Sequence, residues 1–155
     1  MSQTPTNPNP KIETSLYETD FYAWTQQQAK LLSEGRWHQL DVTNLIEEIE
    51  SLGKRERQQL RNRLGVLLGH LLKWQFQPDY RSKSWIATLR EQRRRLTILL
   101  EENPSWQPYL SETFALSYAL GADLGVRETP LDYGDFPETC PYTWEQAIDP
   151  EFLPE

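Results

Sequence analysis

Glu56, Arg63 and His70 stand seven residues apart, so on a helix turning 100° per residue they run down a single edge. His70 at the end of that row is a candidate proton acceptor or ligand, because imidazole titrates near neutrality. A polar seam facing a groove would give it something to act on. The competing reading is structural: a satisfied network beside an apolar face, or long side chains that carry their charges out to water. The structural reading is adopted. Arg93, from a later helix, is expected to enter the seam with Glu56 as its first-choice carboxylate, and His70 to be buried near Arg63 or Glu56.

Glu47 and Glu50 stand three apart on the same helix, where both can reach one divalent cation. A divalent-metal-dependent nucleotide hydrolase would need further carboxylates from a facing helix. The third helix offers only Glu91 in its interior, and no Glu-x-x-His pair occurs anywhere. Glu50 can instead pair with Lys54, and acid near a helix N-terminus is favourable without any metal. Arg81, Lys83, Trp85, Arg90, Arg94 and Arg95 form a basic and aromatic region able to grip phosphates and stack a base. Lys54, Arg55, Arg57 and Arg61 add a second group. These arginines point around much of their helix, which favours an ion-paired surface. There is no Gly-x-Ser-x-Gly elbow and no glycine-rich phosphate loop, and Cys140 sits between Thr139 and Pro141.

The element that positions most of these residues is one helical pattern from Asp41 to Phe76, without a proline and with an apolar residue every three or four positions. Ile46, Ile49, Leu60, Leu64, Leu67 and Leu71 fall on one face. Asp41 can cap this helix and Gln77-Pro78-Asp79 ends it. A first helix is expected from Asp20 to about Glu34, capped by Thr19 and closed by Gly35. A third, capped by Ser84, should run from Trp85 to about Glu102. Asn103-Pro104 reads as the cap and first residue of a fourth, ending near Leu124, with Pro108 distorting its start and Gly121 and Gly125 weakening its end. Thr143-x-x-Gln146 is a capping box for one short helix in a tail rich in proline and acid. The fold expected is all-α: a single-domain bundle of about four main helices over residues 16–155, one about 35 residues long, behind a flexible arm at 1–15.

The chain has 155 residues and a net charge of −7, but the charge is unevenly spread. Residues 1–53 carry −5, residues 54–95 carry +9, residues 96–122 carry −3 and residues 123–155 carry −8. A basic middle between acidic ends can bind a polyanion, or be satisfied by the acidic ends or by a partner subunit. No apolar run approaches the ~20 residues of a membrane span, the N-terminus has no apolar signal region, and one cysteine forms no internal disulfide. A reduced, cytoplasmic protein without a membrane contact is expected.

Six blocks stand in order: Asp41-x-x-Asn44-Leu45-x-Glu47-Glu48-Ile49-Glu50-Ser51-Leu52-Gly53; Leu68-x-His70-Leu71-Leu72-Lys73-Trp74-Gln75; Ser84-Trp85; Glu91-Gln92-Arg93-Arg94-Arg95; Asn103-Pro104-Ser105; and Phe136-Pro137-Glu138-Thr139-Cys140-Pro141. In this order and spacing the chain resembles the bacterial domain-of-unknown-function-29 family over residues 16–154. The resemblance implies an all-helical fold and no catalytic residue. The function expected is a non-enzymatic helical interaction or oligomerisation module, with another copy or another protein as partner and no cofactor. The alternatives are a nucleic-acid-associated protein using residues 54–95 and the metal-dependent nucleotide hydrolase.

Overall fold

A computed structural model describes residues 15–155; the flexible arm expected at 1–15 lies, apart from Ser15, outside the described residues. Every regular element among the described residues is helical. The chain divides into two compact units, Met1–Leu52 and Gly53–Glu155.

The first unit holds α1 (Leu16–Thr19), α2 (Phe21–Ser33), a 3-10 turn at Trp37–Gln39 and the opening turns of α3 (Val42–Phe76). Asp20, not Thr19, caps α2: its backbone is non-helical and its carboxylate takes the Ala23 amide at 3.0 Å. Thr19 instead closes α1, its hydroxyl donating back to the Ser15 carbonyl. Gly35, at φ 68°, lets the chain turn left-handed after α2, so that its own amide reaches the Leu32 carbonyl and the Arg36 amide the Leu31 carbonyl. Asp41 ties the unit together. Its carboxylate accepts from the Asn44 side chain at 2.8 Å and the Trp24 indole at 3.0 Å, while its amide donates to Gln28 Oε1 at 2.8 Å. The Asn44 amide holds that carboxyl below its ordinary range, with help from Trp24 and against desolvation. Tyr17 packs edge-on to Trp24 and donates to Glu48 at 2.7 Å.

The second unit contains the rest of α3, then α4 (Lys83–Glu102), α5 (Leu110–Glu128) and α6 (Trp144–Ile148), with 3-10 turns at Pro78–Tyr80, Pro104–Tyr109 and Tyr133–Asp135. Its core is a leucine cluster: Leu60, Leu64, Leu67, Leu68, Leu71 and Leu72 of α3 against Leu89, Leu96 and Leu99 of α4, closed by Trp106, Tyr118, Phe136 and Tyr142. Each leucine so buried contributes roughly 1.5–3 kcal/mol. The tail from Pro130 belongs to this core through Phe136, Tyr142 and Ala147. Both bonds of the expected capping box are formed at Thr143 and Gln146.

Three local expectations are corrected. Ser82, not Ser84, caps α4, since Ser82 has the extended backbone that a cap requires. Asn103 caps nothing downstream. Its side-chain amide donates back to the Leu99 carbonyl, and Pro104 opens a 3-10 stretch before α5 begins at Leu110. Gly121 and Gly125 do not end α5, which runs on to Glu128. Gly121 lies where α5 crosses α3: a Cβ there would come within 2.8 Å of the Gly69 nitrogen, and one on Gly69 within 2.9 Å of the Gly121 carbonyl. The glycines let two backbones touch, and Ser117 adds a bond to the Arg61 carbonyl at 3.0 Å. Among the described residues no helix is long and apolar enough to cross a membrane.

Candidate functional site

Arg93 is 4% exposed, yet no carboxylate among the described residues binds it. Its Nε donates to the Ala147 carbonyl at 2.9 Å, Nη1 to Pro150 at 3.4 Å and Nη2 to Phe152 at 2.8 Å. The expected Glu56–Arg93 pair is therefore corrected. Glu56 is exposed on α3, while Arg93 reads the carbonyls of the C-terminal tail from the middle of α4. A guanidinium has five donors in a fixed fork, and a chain leaving a short helix presents carbonyls with no helical partner. Burial lowers the Arg93 pKa, and Asp149 and Glu151 oppose it.

The other residues of the expected row separate. His70 is buried, its Nδ1 2.9 Å from the Val66 carbonyl one turn back. A carbonyl only accepts, so Nδ1 carries the proton and Nε2 is the free acceptor. Burial depresses the imidazole pKa, the Val66 carbonyl opposes this, and Lys73 lowers it further. Lys73, one turn on, is buried at 5% exposure, with Nζ 2.7 Å from Glu128 and 4.6 Å from the centre of the Trp85 ring. The hydrogen bond from Lys73 holds the Glu128 carboxyl below its ordinary range. Lys73 and Glu128 escaped the sequence reading, although a lysine inside the run LLGHLLKW is a signal that it must find a partner. Arg63 donates to Gln92 Oε1 at 3.4 Å, and its Nε is buried without a hydrogen bond among the described residues.

Glu47 and Glu50 are exposed on the first turns of α3, and their neighbour Glu48 accepts from Tyr17. Among the described residues no three His, Cys, Asp or Glu side chains gather closely enough to hold a metal ion. The basic region is partly committed inside the chain. Arg81 donates to the Trp74 carbonyl at 2.8 Å and lies over its ring, Arg95 pairs with Glu91 at 2.9 Å, and Lys73 lies over the ring of Trp85. Lys83, Arg90 and Arg94 are exposed and enter no ion pair among the described residues. Arg90 and Arg94 border a cavity of about 280 Å³ with Thr97, Ile148 and Pro150.

Among its exposed polar residues α3 also exposes apolar ones. Val42, Ile46 and Ile49 are 54%, 52% and 66% exposed. At helical spacing they share a face with Gly53, where an added Cβ would meet nothing within 4 Å. Further along, the same angular position holds Leu60, Leu64, Leu67 and Leu71, all buried. The spacings 42, 46, 49, 53, 56 and 60 alternate four and three, which is the repeat of a two-helix seam. No curated protein and no solved structure is detectably similar to the chain. One family model does match, over residues 16–153, and on that match the chain belongs to the family described as domain of unknown function DUF29.

Proposed function

We propose that the protein is a non-enzymatic helical module that self-associates through the N-terminal half of α3. The observation that carries this is the exposed Val42–Ile46–Ile49 face, the continuation of a stripe that is core elsewhere on the same helix. Water is a poor solvent for three adjacent branched side chains, and the α3 helix of a second copy can cover them. Gly53 supports the geometry. A glycine inside an exposed helix costs about 1 kcal/mol relative to alanine, and nothing among the described residues uses the space. A second helix crossing there would.

Charge fixes the direction. Glu47 and Glu50 precede Gly53, and Lys54 and Arg57 follow it. In the heptad set by Ile46 and Ile49, Glu50 and Arg57 occupy the same flanking position, and antiparallel helices match that flank with itself. Two antiparallel copies crossing near Gly53 bring Glu50 of one against Arg57 of the other, twice. Parallel copies would set Leu45 and Leu52 against those charges. Arg57 lies over the Tyr109 ring at 4.7 Å, and a guanidinium stacked by its face keeps its N–H edge for a carboxylate. Glu50→Arg and Arg57→Glu should each weaken association, and the double variant should restore it. Equal association in all four proteins would refute the arrangement.

The working unit is residues 16–155, a reading supported by a family match that runs through both compact units. A reducing, cytoplasmic setting suits the lone Cys140, whose thiol pKa burial pushes up and away from reactivity.

A further inference from the structure

On another side of α3 from the stripe lies an open groove of about 360 Å³, bordered by Arg55, Gln59, Asn62, Arg63, Val66 and Gln92 with Gln58. The hydrogen-bond polarity of three of its amides, Gln58, Asn62 and Gln92, is fixed. Arg61 can only donate, and it donates to Gln58 Oε1 at 2.7 Å. Gln58 must then present its NH₂, which reaches Asn62 Oδ1 at 2.8 Å. Asn62 is left with its NH₂ and no acceptor for it among the described residues. Arg63 occupies Gln92 Oε1 in the same way and leaves the Gln92 NH₂. Arg61 and Arg63 anchor these amides, so the side-chain carbonyl oxygens of Gln58, Asn62 and Gln92 each accept a hydrogen bond and the Asn62 and Gln92 NH₂ groups are left as donors. Among the described residues no carboxylate borders the groove. Arg63 Nε, buried and without an acceptor, is a donor of the kind that folded proteins rarely leave unpaired.

We propose that this groove binds a phosphate monoester with a compact organic body. Arg55 and Arg63 supply two positive charges, matching a monoester near its dianionic form, and guanidinium edges fit phosphate oxygens bidentately. The Asn62 and Gln92 amides add donors for the third terminal oxygen. Val66 and the methylene stems of the glutamines offer a small apolar floor, and the volume lies at the low end of the ~300–1,000 Å³ of small-molecule sites. The site is independent of self-association, since it lies on a different side of α3.

Thermal unfolding and calorimetry on the full chain test this with inorganic phosphate, adenosine 5′-monophosphate and ribose 5-phosphate. Uncharged adenosine and potassium chloride at equal ionic strength are the controls. Both monoesters should raise the melting temperature in a saturable way, and the controls should not. Arg55→Gln, at an exposed position, should weaken monoester binding by about tenfold or more, as expected for losing a charge-assisted contact. Asn62→Asp, which still accepts from Gln58 but faces the ligand with a carboxylate, should abolish it. No saturable response to millimolar monoester overturns the proposal, as does unchanged affinity in both variants. Tight binding of an RNA oligomer lacking terminal phosphates, with no response to monoesters, overturns it in favour of a polymer backbone.

Discussion

Replacing Arg93 by methionine keeps the length and removes the head that holds three tail carbonyls. Hydrogen bonds to a charged group contribute roughly 1.5–3 kcal/mol each, but the three are unequal. The Pro150 bond is long at 3.4 Å, and Pro150 is exposed, so its carbonyl finds water. Phe152 is half-buried and recovers part of its loss. Ala147 is fully buried, and its carbonyl keeps no partner once Nε is gone. Stranding that acceptor costs about 1–3 kcal/mol. Desolvation of the guanidinium, which the variant escapes, offsets some of the rest. The net expectation is about 2–4 kcal/mol of destabilisation, or roughly 5–15 °C in melting temperature for a chain of this size. Because the bonds end in the tail, the loss should begin there, and chymotrypsin should cut faster at Tyr142, Trp144 and Phe152 than in the parent. Arg94→Gln, one residue on and exposed, should move the midpoint by no more than about 0.5 kcal/mol. A midpoint for Arg93→Met as close to the parent as that of Arg94→Gln, with unchanged proteolysis, would refute the clasp.

Gly121→Ala should destabilise by about 1–3 kcal/mol despite alanine's better helix propensity, because the new methyl meets the α3 backbone and not a movable side chain; a gain in the urea midpoint would show that the crossing has slack. His70 makes stability depend on pH. Its folded pKa lies below the ordinary 6.5, so between the two values the unfolded chain holds the extra proton and stability falls as pH drops from about 7 toward 5. His70→Gln should fold and should flatten the urea midpoint over that window, and an unchanged slope would remove His70 as its source. The Glu128 carboxyl, lowered by its bond from Lys73, contributes stability that is lost only at more acidic pH, below its ordinary value of 4.5, which separates it from His70.

The long helix was legible to within a residue at each end, because proline and an aspartate cap punctuate an uninterrupted apolar period. The capping box at Thr143 was legible for the same reason: its bonds are local. Cap identity failed where two candidates stood close together, Thr19 beside Asp20 and Ser84 beside Ser82, since the choice depends on which backbone is non-helical. The glycines of α5 were misread as weak points, because a close helix crossing and a frayed end call for the same residue. Arg93 is buried, as a member of a seam should be. Its partners are carbonyls 54 to 59 residues away, and a carbonyl is present at every position, so no residue type betrays it. The exposure of Val42, Ile46 and Ile49 was invisible for a related reason: periodicity reports which face is apolar but not whether the chain itself covers it.

Sedimentation velocity on the purified chain at tens of micromolar, beside an Ile46→Glu/Ile49→Glu variant, tests the self-association reading most directly. The parent should sediment as a particle of about twice its 18.3 kDa, shifting toward the single chain on dilution. The variant, with two carboxylates in the seam and no buried position altered, should remain folded by circular dichroism and sediment as the single chain at every concentration. A parent that stays a single chain throughout, or a variant that associates as the parent does, would contradict the account.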